Sequence, residues 1–205
     1  SLKSDFQKRM KLNAITLNNL GCFFKRKGKL QAALHYLNKA LAIETQTKTA
    51  ENPAGTLLNL CATLSQLGRH AQALTHAEKA IETLQKSKDS VGGAAAAKMS
   101  FLAIAFHNQA VEQEFLHRKP EALASYRQAC TLADKCWGSR SSMASALRNN
   151  LKAVQKDKSG NRDDRRDHTR RPSSSRAEVS SSAPAVVTAA PRKRPVTASG
   201  AVSHA

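Results

Sequence analysis

Asn19 precedes Leu20, Asn59 precedes Leu60, Asn108 precedes Gln109 and Asn150 precedes Leu151, and the first three of these pairs follow one another at intervals of 40 and 49 residues. A carboxamide both donates and accepts hydrogen bonds, so a row of such groups can hold the main chain of an extended segment without reading its side chains. Near the first of them, Lys25, Arg26, Lys27 and Lys29 supply charge for an acidic group. Reactive chemistry has far less support. None of the seven histidines falls into an HExxH pattern, a Cys/His cluster with metal spacing or a pairing with a nucleophile, and Cys22, Cys61, Cys130 and Cys136 form no CxxC pair. Gly92-Gly93 runs into alanines and reads as a break before a long helix, not as a phosphate loop. Neither catalysis nor a resident metal or cofactor is expected.

The asparagines belong to an internal repeat. Leu17, Leu20, Gly21, Phe24, Gly28, Ala33 and Ala40 recur forty residues later as Leu57, Leu60, Cys61, Leu64, Gly68, Ala73 and Ala80. A third copy holds Phe106, Gln109, Ala110, Gln113, His117, Ala122 and Ala129, with Gln109 and Gln113 placing polar groups on the expected core stripe. Within each unit the first four positions fall at i, i+3, i+4 and i+7, one face of an amphipathic helix. Gly28 and Gly68 suit a left-handed helix end, and Pro120 suits the first turn of the next helix. Ala33, Ala73 and Ala122 then face Gly21, Cys61 and Ala110, so that two helices pack closely as a hairpin. Asn52-Pro53 predicts the start of the second unit, Asn as cap and Pro as first helical residue. On a helical wheel Asn19 lies roughly opposite the core stripe.

This pattern resembles the tetratricopeptide repeat, over roughly residues 14 to 156. The resemblance implies an all-α solenoid of three helical hairpins, about 14–47, 54–87 and 103–136, closed by a capping helix at about 141–156 that carries Lys152 where earlier units carry small residues. The recurring Asn and the long unit spacing are similar to the kinesin light chain type. In that family the face bearing the Asn lines a concave groove, which implies a peptide-binding set of Asn18, Asn19, Cys22, Lys25 and Arg26 in unit one. Leu58, Asn59, Ala62 and Gln66 continue it in unit two, and His107, Asn108, Val111 and Asn150 follow. Ile15, Ser65, Glu114 and Phe115 neighbour the set. The carboxylate clamp of chaperone-binding members is absent, since its sites carry Asn18, Cys22, Ile104 and Asn108 and only Asn59 matches.

Composition sets the remaining bounds. The chain has 205 residues, 33 Lys and Arg against 15 Asp and Glu, a net charge of +18 and nine aromatic residues, which suits closely packed helices better than a large globular core. No run reaches the ~20 apolar residues of a membrane span, and the N-terminus shows no basic stretch followed by an apolar block and a cleavage site, so a soluble cytoplasmic protein with no membrane partner is expected, with cytoskeletal association or the nucleus as alternatives. From Asp157 onward there is no Leu, Ile, Phe, Tyr, Trp or Met. Residues 157–205 therefore read as a disordered basic tail with five of the net positive charges. Its Pro191-Arg192-Lys193-Arg194-Pro195 has the form of a nuclear address, and Arg170-Arg171-Pro172-Ser173-Ser174 that of a basophilic phosphorylation site. The function expected is a non-enzymatic scaffold that binds an extended, partly acidic peptide in the groove. The alternative is a basic binder of tubulin tails or nucleic acid acting through surface charge, although no zinc finger or RNP-like aromatic motif accompanies the charge.

Overall fold

The computed structural model describes residues 2–47, 53–87 and 93–156. They form seven helices: α1 (Leu2–Arg26), α2 (Leu30–Thr47), α3 (Ala54–Gln66), α4 (His70–Lys86), α5 (Gly93–Phe115), α6 (Lys119–Trp137) and α7 (Ser142–Lys156). Among the described residues there is no strand. α1 pairs with α2, α3 with α4 and α5 with α6, while α2 packs on α3, α4 on α5 and α6 on α7. This is the expected all-α stack of three hairpins and a final helix. The tail from Asp157, with its motifs, and the cap expected at Asn52 lie outside the described residues. α3 begins one residue later than the Asn-Pro pair predicted, with Pro53 in the cap position and its carbonyl accepting from the Leu57 amide at 3.1 Å.

Each hairpin turns by the same device. The amide of residue 29, 69 or 118 donates to the carbonyl of residue 24, 64 or 113, and the amide just before it donates to residue 25, 65 or 114, all at 2.8–3.0 Å. This 6→1 and 5→2 pattern needs a left-handed residue at the turn. Gly28 and Gly68 supply it with φ of 71°, but the third turn forces His117 to φ 59°, where a side chain crowds the backbone.

Ala33, Ala73 and Ala122 are fully buried, as are their counterparts Cys61 and Ala110. The approach is closest in the first hairpin. A Cβ on Gly21 would meet Leu37 Cγ at 2.5 Å and the Ala33 carbonyl at 3.3 Å. Phe24 and Tyr36 stack across the same hairpin at 5.2 Å between ring centres. The polar stripe of the third unit is accommodated by a hydroxyl: Ser125 Oγ of α6 lies 3.0 Å from Gln109 Oε1 and 2.9 Å from Gln113 Oε1. α7 is capped by Ser141, whose Oγ accepts from the Ala144 amide, and it turns Ala144, Leu147 and Val154 inward while Lys152 stays exposed.

One core assignment needs correction. Leu20 is not buried but 37% exposed, whereas its counterpart Leu60 is fully covered. Leu60 packs beneath α2 in a cluster with Leu34 and Leu37, whereas among the described residues no second helix covers Leu20 in this way.

Two measurements check this packing. Ala73→Leu overfills the seam between α3 and α4 and should lower stability by about 1–3 kcal/mol, and a melting curve superimposable on the parent's would mean that the hairpin register is wrong. His117→Gly should raise stability by about 0.5–1 kcal/mol, because relief of a left-handed side chain outweighs the added chain entropy of Gly. An unfolding temperature no higher than the parent's would show that the third turn carries no strain.

Candidate functional site

The first helices of the hairpins form the inner layer of the stack, since α1 packs on α3 and α3 on α5 in addition to their hairpin partners. Three members of the asparagine slot, Asn19, Asn59 and Asn108, sit on this layer and Asn150 on α7, and they meet different surroundings. Asn19 is exposed, Asn108 and Asn150 are half-buried, and Asn59 is only 4% exposed. The Asn59 Nδ2 donates to Asn18 Oδ1 of α1 at 3.0 Å, a buried bond between neighbouring hairpins. The slot points back toward the preceding first helix. In α3 it meets Asn18, while in α1 Asn19 is exposed.

Other candidates divide in the same way. Leu58 is buried in the cluster it shares with Ile81, Leu84 and Ala105, so it serves the core. His107 turns toward Tyr126 of its own hairpin, with ring centres 5.8 Å apart. Ala62 and Val111 are half-buried, Gln66, Arg26, Phe115 and Ile15 are exposed, and Cys22 is buried. Lys25 stands apart. It is half-buried, and loss of water holds its ammonium below the ordinary lysine range, with the like charge of Arg26 adding to the effect while Cys22 and Cys61 oppose it. Among the described residues no carboxylate forms an ion pair with it. Burial likewise pushes the Cys22 and Cys61 thiols up, so both stay protonated and unreactive.

A second polar cluster was not legible in the sequence. Glu112 of α5 is 2% exposed, and its Oε2 lies 2.8 Å from Nδ1 of His70, the first residue of α4. The His70 ring stacks on Phe115 at 4.1 Å, closing the junction of the second and third hairpins. Glu112 occupies the position of Phe23 in the first unit and Thr63 in the second. A charged residue in that otherwise uncharged slot is the one sequence signal for a buried partner. At the preceding junction Thr56 donates to Glu44 Oε1 at 3.0 Å, and burial raises the Glu44 carboxyl above its usual range.

Among the described residues no group of three or more His, Cys, Asp or Glu side chains is placed to hold a metal ion, and no helix is long and apolar enough to cross a membrane. The model of the family described as "Tetratricopeptide repeat" matches residues 14–45 and 54–87, the first two hairpins. No curated protein matches the chain. Thirty solved chains do. One is the Arabidopsis OM64 TPR domain, 17% identical with a TM-score of 0.52, the match covering 70% of this chain and 98% of that one, which is a likeness of fold alone. Another is the crystal structure of BtubC (BKLC) from P. vanneervenii, 15% identical with a TM-score of 0.38 over 77% of this chain and 69% of that one, too distant to carry an argument.

The inner layer has a pH-sensitive member in His107. Its Nδ1 is buried with no hydrogen-bond partner among the described residues, and burial pulls its pKa down to about 4. The unfolded chain, with His near ~6.5, binds the proton more readily, so stability is full above that value and falls as pH drops from ~6.5 toward 4. The loss should reach about 2 kcal/mol at pH 5. Denaturant unfolding of the parent and of His107→Phe at pH 7 and pH 5 checks this. The same pH-dependent loss in both proteins would remove His107 as the cause.

Proposed function

We propose that this tetratricopeptide-type repeat protein is a non-enzymatic interaction scaffold that holds an extended peptide along the inner face of its first helices, with an acidic group of the ligand beside Lys25 and Arg26. The observation that carries the reading is Lys25, a cation on the inner layer that has given up part of its water without gaining a carboxylate. A ligand carboxylate placed there restores the lost solvation, and a charge-assisted hydrogen bond contributes about 1.5–3 kcal/mol. Asn19, Asn108 and Asn150 keep enough exposure to pair with a ligand main chain. Asn59 takes a supporting role, bracing α1 against α3 through Asn18. The recurrence of Asn in one slot favours the kinesin light chain type within the family, and the net charge of +18 favours an acidic partner.

The test is a peptide array probed with the folded chain, followed by affinity measurements on the best binders. Changing Lys25 and Arg26 together to Ala should weaken an acidic peptide by about 1.5–3 kcal/mol, and changing Asn19 and Asn108 together to Ala should weaken any extended ligand by about 2 kcal/mol. If the Asn variant binds like the parent and only the charge variant fails, the inner-face reading is lost. The protein is then a basic binder of acidic surfaces, and tubulin tails and RNA become the ligands to measure.

A further inference from the structure

One position of the hairpin turn carries a cation three times. Lys29, Arg69 and Arg118 each follow the left-handed residue of their turn, and their carbonyls accept the first bond of the second helix, from the amides of Ala33, Ala73 and Ala122 at 3.0 Å. This is the cap position, where Ser, Thr, Asp or Asn would satisfy a free amide and where the helix end is itself positive. Arg69 and Arg118 make no side-chain cap bond, and neither α2 nor α4 has an acid in its first turn to offset the charge. All three cations are exposed, and among the described residues none of them forms an ion pair. A charge repeated in this register does nothing for the turn that carries it.

Stacking of the hairpins brings the three turns to one edge. At the first junction Leu64 and Leu67, beside the second turn, pack with Leu34, just after the first. At the next, Arg69, His70, Gln72 and Leu116 line one hollow between the second and third turns. With each helix about 10 Å across, the three cations form a row roughly 20 Å long. The acids near its third turn are largely engaged: Glu112 is buried against His70, Glu114 accepts from the Tyr126 hydroxyl at 3.1 Å, and Glu121 is exposed in the first turn of α6. The same edge presents an aromatic ring. Phe115 stacks on His70 with the planes 9° apart and stays 52% exposed, in the turn that carries Arg118 and beside the one that carries Arg69. An acidic peptide would use the cations and leave this ring idle, whereas a single strand has phosphates for the cations and a base for the ring. We propose that the turn edge binds single-stranded nucleic acid, with Lys29, Arg69 and Arg118 along its phosphate chain and a base stacked on Phe115. Asn19, Lys25, Arg26 and Asn108 of the inner face take no part, so this surface does not depend on the reading given to them above.

The probe is a labelled oligouridylate of about twelve nucleotides, titrated against the full chain by fluorescence anisotropy over a range of salt concentrations, beside a polyglutamate peptide of the same charge. The oligonucleotide should bind the more tightly of the two. Changing Lys29, Arg69 and Arg118 together to Gln should weaken it about tenfold or more and lower the slope of log affinity against log salt by about 2, one phosphate contact being worth about 0.7 on a single strand. The unfolding temperature should not fall, because all three side chains are exposed. Phe115→Leu keeps an apolar side chain against His70 but removes the ring face; it should weaken the oligonucleotide about fivefold or more, leave the salt slope unchanged and leave polyglutamate unaffected. Failure of the oligonucleotide to bind overturns the proposal. So does polyglutamate binding as tightly or more tightly, since the edge would then serve an acidic protein. Parental affinity in either variant overturns it as well, the strand then being held by charge elsewhere on the chain.

Discussion

Close approach of paired helix backbones is the constraint on which this structure depends. At Gly21 the space for even one methyl group is taken by Leu37, and in the other hairpins Cys61 and Ala73, or Ala110 and Ala122, fill the seam with the smallest practicable side chains. Nine aromatic residues are too few to build a thick core. Thin seams between helices replace it, and dispersion across many short contacts stabilises each hairpin. Once the seam is fixed, the turn must reverse the chain in three residues, which explains why the left-handed geometry is retained at His117 even without glycine.

Junctions between hairpins follow a different rule. The first helix of each later unit lies under the second helix of the unit before, and polar pairs reach that contact at Glu44 with Thr56 and His70 with Glu112, while Asn18 with Asn59 ties the first helices α1 and α3 together. A buried carboxylate such as Glu112 is tolerable only with a partner in place. These pairs therefore tie the relative placement of neighbouring hairpins to specific side chains, whereas the apolar seams within hairpins accept many sequences. α7 covers the last hairpin and presents lysine outward, while α1 exposes Leu20 and Phe23.

On the inner face the decisive quantity is hydration. Lys25 lies where neighbouring side chains exclude water, and the groups around it are two thiols and another cation. Such an ammonium is a site of unspent electrostatic attraction, unlike exposed lysines such as Lys79 and Lys152 on a chain of +18 net charge. Under the proposed reading, this distinction separates the peptide-binding face from a merely basic surface.

The sequence by itself determined the hairpins. Gly28, Gly68 and the buried Ala33, Ala73 and Ala122 are local requirements of turns and of close helix packing, and they repeat with a period that only stacked helix pairs explain. It also singled out the asparagine slot, but as one uniform feature. Tertiary structure divided that slot: Asn59 is bound to Asn18 across forty-one residues, while Asn19, in the same register, faces open solvent. Leu20 and Leu60 differ for the same reason, and Glu112 acquires its partner only when α4 delivers His70. Periodicity reports which face a residue occupies on its own helix. What lies opposite that face depends on the neighbouring hairpin, and that contact is written in no single repeat.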